Sequence, residues 1–277
     1  MDNLIFKQTE KYSFRDPTAY IFNGEIYLFF SLVINENNNQ YFCTAVSKSK
    51  NFKNWTKPEV LTEKDISKNY SSPGNVVEYN GMYYLCLQTY PRPNGEKYGN
   101  ESSRIFTIHT SDFKNWSKPE LIKVKGDIPE NEMGRMIDPY ILKDNDKFIC
   151  FFKQNGVSFS ESSNMKNWKF KGYTECGENV CVIKENDEYI IFNSLENGIN
   201  LLSTKNFKEF NSMGTTYLNQ SKKPWAKDRI TAGFVIDISK MNIGYNYAMF
   251  YHGDMEDHYI FGASLAVTFS NDLKIWN

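Results

Sequence analysis

No apolar run in this chain approaches the roughly 20 residues a helix needs to cross a bilayer. The first ten residues, Met1 to Glu10, have neither a basic segment nor an apolar core, so no secretory leader is legible there. A cytoplasmic protein is expected, although a secreted chain stripped of its leader would read the same. Charge of one sign is lacking too: 32 basic and 33 acidic side chains, spread along the sequence, argue against nucleic-acid and membrane partners. Cysteines are few and odd in number, and Cys43, Cys86, Cys150, Cys176 and Cys181 contain no CxxC pair. That excludes a disulfide framework and a zinc knuckle, and the five read as reduced and mostly buried. The histidines His109, His252 and His258 lack metal-ligand spacing. A G-x-S-x-G elbow, a P-loop and a dinucleotide fingerprint are all missing, which removes the serine-hydrolase and nucleotide-binding classes.

Aromatics are abundant, with 18 Tyr and 21 Phe, and favour strands over helices. A short signature recurs at Ser49-Lys-Asn-Phe-Lys-Asn-Trp55, Ser111-Asp-Phe-Lys-Asn-Trp116, Ser163-Asn-Met-Lys-Asn-Trp168, Ser203-Thr-Lys-Asn-Phe-Lys-Glu-Phe210 and Ser270-Asn-Asp-Leu-Lys-Ile-Trp276. The final aromatics are 61, 52, 42 and 66 residues apart, too irregular for a tight solenoid and suited to blades with variable loops. Before each copy lies a hairpin, with first strands beginning near Asp16, Ser72, Asp138, Glu178 and Ala232 and turns such as Asn23-Gly24 and Asn80-Gly81. Each unit is a four-stranded meander. The expected architecture is all-β: one domain over residues 1–277, a five-bladed β-propeller whose four-stranded antiparallel blades surround a central channel. Leu4-Ile-Phe6 is the segment expected to complete the last blade, and Pro58 and Pro119 suit outer edge strands.

In such a ring the first strands line the channel and begin at one end, so Asp16, Asn75, Asp138 and Glu178 are expected to converge on one mouth. An Asp before Pro is common at turns, and a lone Glu is more often a solvated loop residue. Three acids at equivalent positions are harder to explain by structure alone, because converging carboxylates repel and one of them holds its proton toward neutral pH. A carboxylate base facing a protonated acid is the equipment of glycoside hydrolysis; roughly 6.5–9.5 Å between them admits a water and gives inversion, and about 5–5.5 Å gives retention. Polar residues close the second strands at Ser31, Gln88, Lys153-Gln154, Asn193-Ser194 and His252, while Tyr140, Phe14, Tyr90 and Trp225 are candidate stacking faces. Arg229 stands just before the fifth inner strand, within reach of a sugar hydroxyl or an acidic group. The candidate substrate-binding set is Arg15, Asn75, Gln88, Gln154, Arg229 and His252, acting on a small carbohydrate.

These motifs resemble glycoside hydrolase family 43, five-bladed propeller enzymes that include β-xylosidases, α-L-arabinofuranosidases and arabinanases. Phe14-Arg-Asp-Pro17 matches its first-blade motif and implies that Asp16 is the general base. Ile137-Asp-Pro139 matches the third-blade motif and implies that Asp138 tunes the acid and orients substrate. Glu178, six residues before Lys184, matches the general acid, and inversion by single displacement follows. The chain departs from the pattern in four places. Glu178-Asn-Val replaces Glu-Gly-Pro, with Glu175 nearby as a rival acid; Ser72-Pro-Gly-Asn75 lacks the second-blade carboxylate; Gly233-Phe234 stands where arabinanases have a Gly-His supporting a central metal; and the C-terminal β-sandwich of many β-xylosidases is missing. A channel calcium thus has no support in the sequence, and no metal or other cofactor is expected. The related alternatives are a retaining fructan hydrolase, a glycoside phosphorylase drawing on Arg15, Arg135 and Arg229, and a non-catalytic carbohydrate-binding propeller.

Overall fold

Asn-Gly pairs can hold two consecutive residues in the left-handed region, and they do so at Asn23-Gly24 (φ 50° and 75°) and Asn80-Gly81 (51° and 74°), closing two-residue hairpins. The computed structural model describes residues 3–255 and 262–277; His258 lies outside them. Twenty strands make five four-stranded antiparallel sheets, and helix is confined, among the described residues, to three single 3-10 turns. Blade 1 is β2 (Tyr12–Phe22), β3 (Glu25–Glu36), β4 (Asn39–Ser49) and β5 (Glu59–Val60). Blade 2 is β6 (Val76–Tyr79), β7 (Met82–Gln88), β8 (Ile105–Thr110) and β9 (Glu120–Leu121). Blade 3 is β10 (Ile137–Asp144), β11 (Lys147–Lys153), β12 (Val157–Ser162) and β13 (Lys169–Thr174), and blade 4 is β14 (Glu178–Glu185), β15 (Glu188–Ser194), β16 (Ile199–Thr204) and β17 (Asn211–Thr216). Blade 5 takes β18 (Arg229–Asp237), β19 (Tyr247–Asp254) and β20 (Ala263–Ser270), and its outer strand is β1 (Leu4–Phe6), with Leu4 opposite Ala266. The ring is a five-bladed propeller. Pro58 and Pro119 sit just before the outer strands of blades 1 and 2, which are only two residues long.

The repeated signature is the turn between the third and fourth strands, and it is built the same way each time. An Asn or Asp carboxamide or carboxylate oxygen (Asn51, Asp112, Asn164, Asn206, Asp272) accepts the backbone N–H groups two and three residues on. The next residue then adopts a left-handed conformation, at Phe52, Phe113, Met165, Phe207 and Leu273. In three blades this aims a ring into the preceding blade: Phe113 stacks on Phe22 at 4.4 Å between centroids, Phe207 meets Phe151 at 5.5 Å and Phe52 meets Phe250 at 6.1 Å. The signature is thus a wedge that seals adjacent blades with apolar contact.

The inner strands repeat a second device. In every blade a left-handed residue sits where the strand leaves the mouth: Asp16 (φ 48°), Ser72 (41°), Asp138 (51°), Asn179 (52°) and Ala232 (53°). The residue before each one pairs with a residue of the second strand, as Arg15 with Ser31, Ser71 with Gln88, Ile137 with Lys153, Glu178 with Ser194 and Thr231 with His252, and in blades 2, 3 and 4 that partner is the strand's last residue. A bulge follows, which swings the side chains at these stations over the mouth. In blade 2 the station is Ser72, not Asn75. The Asn75 amide is buried between blades, donating to Ile141 O and accepting from Ile141 N, each at 2.8 Å.

Candidate active site

The mouth holds a cavity of about 560 Å³ whose walls include Asp16, Asp138 and Glu178 from blades 1, 3 and 4. Asp16 and Asp138 are the left-handed residues of their stations, a conformation that short polar Asp tolerates better than most side chains. Glu178 is one residue earlier in its station, and Asn179 takes the left-handed position instead. Gly177 makes this approach possible, because a Cβ there would lie 2.2 Å from Ser194 O. Glu175 is exposed and does not border the cavity.

Each acid has different partners. The hydroxyls of Ser31 and Ser72 both donate to Asp16 Oδ2, at 3.0 and 3.1 Å, leaving Oδ1 on the side of His252 at 3.8 Å. The backbone N–H of Asp16 donates to His252 Nδ1. Glu178 forms an ion pair with Lys153, where burial opposes the lysine's charge but Glu178 and then Asp138 outweigh it, so its pKa rises. Asp138 keeps part of its surface on the cavity, yet its carboxyl is enclosed deeply enough that desolvation, followed by the Glu178 and Asp16 carboxylates, pushes its pKa up to about 8. Its backbone N–H is held by Gln88 Oε1 at 2.5 Å. The acids therefore form one interacting set in which Asp138 retains a proton at neutral pH.

Across the mouth, buried Asp254 binds Arg15 at 2.8 Å and Arg229 at 2.5 Å. Burial opposes its charge, but Arg15, His252 and Arg229 prevail and hold its carboxyl below the usual range. His252 is fully buried, and desolvation followed by Arg15 lowers its pKa to about 4. Because Nδ1 accepts from Asp16, the ring proton is on Nε2, which lies 4.0 Å from Asp254 Oδ2 and makes no hydrogen bond.

The family model for the "Glycosyl hydrolases family 32 N-terminal domain" matches residues 6–222, which span blades 1 to 4. The chain belongs to that family. This family 32 propeller is a glycoside hydrolase, and its fold is shared by enzymes of two other families. It is similar to a family 43 β-xylosidase/α-arabinofuranosidase from a compost microbial metagenome, solved with xylotriose, at 16% identity and TM-score 0.67 over 99% of this chain and 96% of that one. It is also similar to a family 62 α-L-arabinofuranosidase domain from Coprinopsis cinerea (12% identity, TM-score 0.68, 97% and 98% coverage). A glycosyl hydrolase from Bacteroides ovatus superposes with TM-score 0.72 at 10% identity, over 98% and 92% of the two chains. No curated protein matches the chain by sequence.

Of the substrate-binding residues expected for this family 32 chain, Arg15, Gln88, Arg229 and His252 border the cavity. Asn75 and Gln154 do not: Gln154 turns its amide away to Met133 O and Arg135 O at 2.8 and 3.1 Å, bracing the 133–135 segment. Tyr90 is on the wall, whereas Phe14, Tyr140 and Trp225 are buried core rings. Lys153, expected among the polar ends of the second strands, is also on the wall, and Phe42, Tyr98, Glu101 and Thr231 join it with no signal in the sequence. Arg135 lies over the Tyr90 ring at 5.6 Å and donates to Gly99 O at 2.9 Å, tying two loops into one wall. Arg15 and Arg229, which a phosphorylase would turn on phosphate, share the Asp254 carboxylate. No group of three or more His, Cys, Asp or Glu arranged to hold a metal occurs among the described residues.

Proposed function

We propose that this enzyme hydrolyses short pentose-containing oligosaccharides with inversion, Asp16 acting as base and Glu178 as acid. The observation that carries the reading is the meeting of Asp16, Asp138 and Glu178 in one cavity from equivalent stations of three blades. Asp16 Oδ2 is occupied by two serine hydroxyls, so Oδ1 takes the proton from the attacking water. As the bond to the leaving oxygen breaks, Glu178 gives it a proton, and Asp138 is the store from which Glu178 is recharged. A cavity of about 560 Å³, with Tyr90 and Tyr98 on one wall, suits one or two sugar rings rather than a polymer. The structural likeness to an enzyme solved with xylotriose supports a pentose, and a place in family 43 alongside the family 32 match. Five reduced, buried cysteines support a reducing cytoplasm acting on imported sugars.

The family 32 match favours a second reading, retention, in which Asp16 Oδ1 attacks the sugar directly. A panel of aryl β-xylosides, α-arabinofuranosides and β-fructosides, followed by proton NMR of the first anomer released, decides between them. Inverted product from a pentoside, abolished in Asp16→Asn, supports the proposal; retained product or fructoside-only turnover overturns it.

A further inference from the structure

At four of the five stations, the backbone N–H of the left-handed residue is latched by the second-strand residue of the preceding blade that pairs with that blade's own station. Asp16 N–H donates to His252 Nδ1 (3.1 Å), Ser72 N–H to Ser31 Oγ (2.7 Å), Asp138 N–H to Gln88 Oε1 (2.5 Å) and Ala232 N–H to Ser194 Oγ (2.9 Å). The fifth latch would join Asn179 to the end of β11. That position is Lys153, whose ammonium has three donors and no lone pair, so it cannot accept the Asn179 N–H. Lys153 instead binds the carboxylate of Glu178, the neighbour of Asn179. The interruption falls at the one station whose acid precedes the left-handed residue.

We propose that Lys153 is a positioning residue for Glu178. It replaces the inter-blade latch with an ion pair that holds the Glu178 carboxylate over the cavity, and release of that pair lets a proton pass from Asp138 to Glu178. The inference rests on the reading of Glu178 as the acid. The transfer balances: Asp138 gives up its proton and becomes a carboxylate, Glu178 becomes a carboxylic acid, and Glu178 then protonates the leaving oxygen while Asp16 takes a proton from water. The charged groups facing the pair are Asp138 on β10, Asp16 on β2 and Arg135 before β10. Arg15, Arg229, His252 and Asp254 stand on the opposite wall, around Asp16. Lys153 and Arg135 both work against the proton on Asp138, so removing Lys153 strengthens the hold of Asp138 on that proton.

The test measures kcat and KM against pH for Lys153→Gln, Lys153→Arg and Glu178→Gln. The substrates are the 4-nitrophenyl glycoside picked out by the panel above and the corresponding trisaccharide, which needs full protonation of its leaving oxygen. In Lys153→Gln the alkaline limb of kcat moves up by about one pH unit, and kcat on the trisaccharide falls about tenfold while KM changes little. Lys153→Arg keeps the charge and leaves the limb where it is, with kcat within about threefold. An unmoved limb in a folded Lys153→Gln enzyme, with Glu178→Gln inactive on the trisaccharide, overturns the role of Lys153 alone. Full trisaccharide activity in Glu178→Gln overturns the acid assignment and this inference together.

Discussion

The Asp16 backbone N–H donates to His252 Nδ1 across 3.1 Å, so the carboxylate at the mouth is anchored by a histidine that must stay neutral. Protonating His252 would put a donor against a donor and place a charge in a fully buried site beside Arg15 and Arg229.

His252 therefore ties stability to pH. Its folded value, about 4, lies below its ordinary 6.5, so its contribution is complete above pH 6.5 and is lost as pH falls toward 4. The loss amounts to about 3 kcal/mol. Thermal melts from pH 7 to pH 4 should show a fall in Tm that is flattened in His252→Gln, whose side-chain oxygen still accepts from Asp16.

Asp138 has the opposite sign. Its folded value, about 8, is above its ordinary 3.8, so the stability it gives is complete at low pH and is lost as pH rises through 8. Asp138→Asn removes that buried charge. The variant should melt on the order of 5 °C higher than wild type at pH 8.5 and equal it near pH 4, while kcat falls at least about 100-fold.

Asp254 is the shared counter-ion of two arginines and is itself fully buried. Asp254→Ala leaves Arg15 and Arg229 facing one another next to the Asp16 station, and a destabilisation of about 3–5 kcal/mol is expected in urea melts. Asp254→Asn should lie between it and wild type.

Gly74 marks a close approach of blades 2 and 3. A Cβ there would lie 1.5 Å from Pro139 O and 2.8 Å from Cys86 Sγ. Gly74→Ala should cost about 3 kcal/mol or more, read as a lower urea midpoint, because the obstructing atom is backbone next to Asp138. Gly24→Ala meets nothing within 4 Å, and strains only the turn.

The architecture was legible because it is written in local chemistry. Five Asx-led turns announced the blades, and the apolar Leu4-Ile-Phe6 segment announced the closing strand. Asp16, Asp138 and Glu178 could be aligned because each lies seven or eight residues before a hairpin turn, at Asn23, Asn145 and Asn186. Blade 2 keeps that count, with Ser72 eight residues before Asn80, but Ser72 has neither carboxylate nor amide, and the expectation went to Asn75, the polar residue just beyond Pro73. Gln154 lies one residue beyond the end of β11, where the chain bends and its amide turns back to Met133 O and Arg135 O, leaving Lys153 as the strand-end residue on the cavity. The cavity wall made by Tyr98, Glu101 and Arg135 depends on two loops crossing, and no periodicity records that.

Ring closure through β1 and β20 joins segments almost the whole length of the chain apart. Those contacts carry the largest loop-closure entropy in the molecule, so they should be the last to form and the first to open. Because His252 sits in that final blade and latches Asp16 in the first, Asp16 acquires its anchor only when the circle is completed. A nascent chain short of its fifth blade would carry all three acids and yet hold Asp16 without that anchor, which makes catalysis an indicator that the ring has closed.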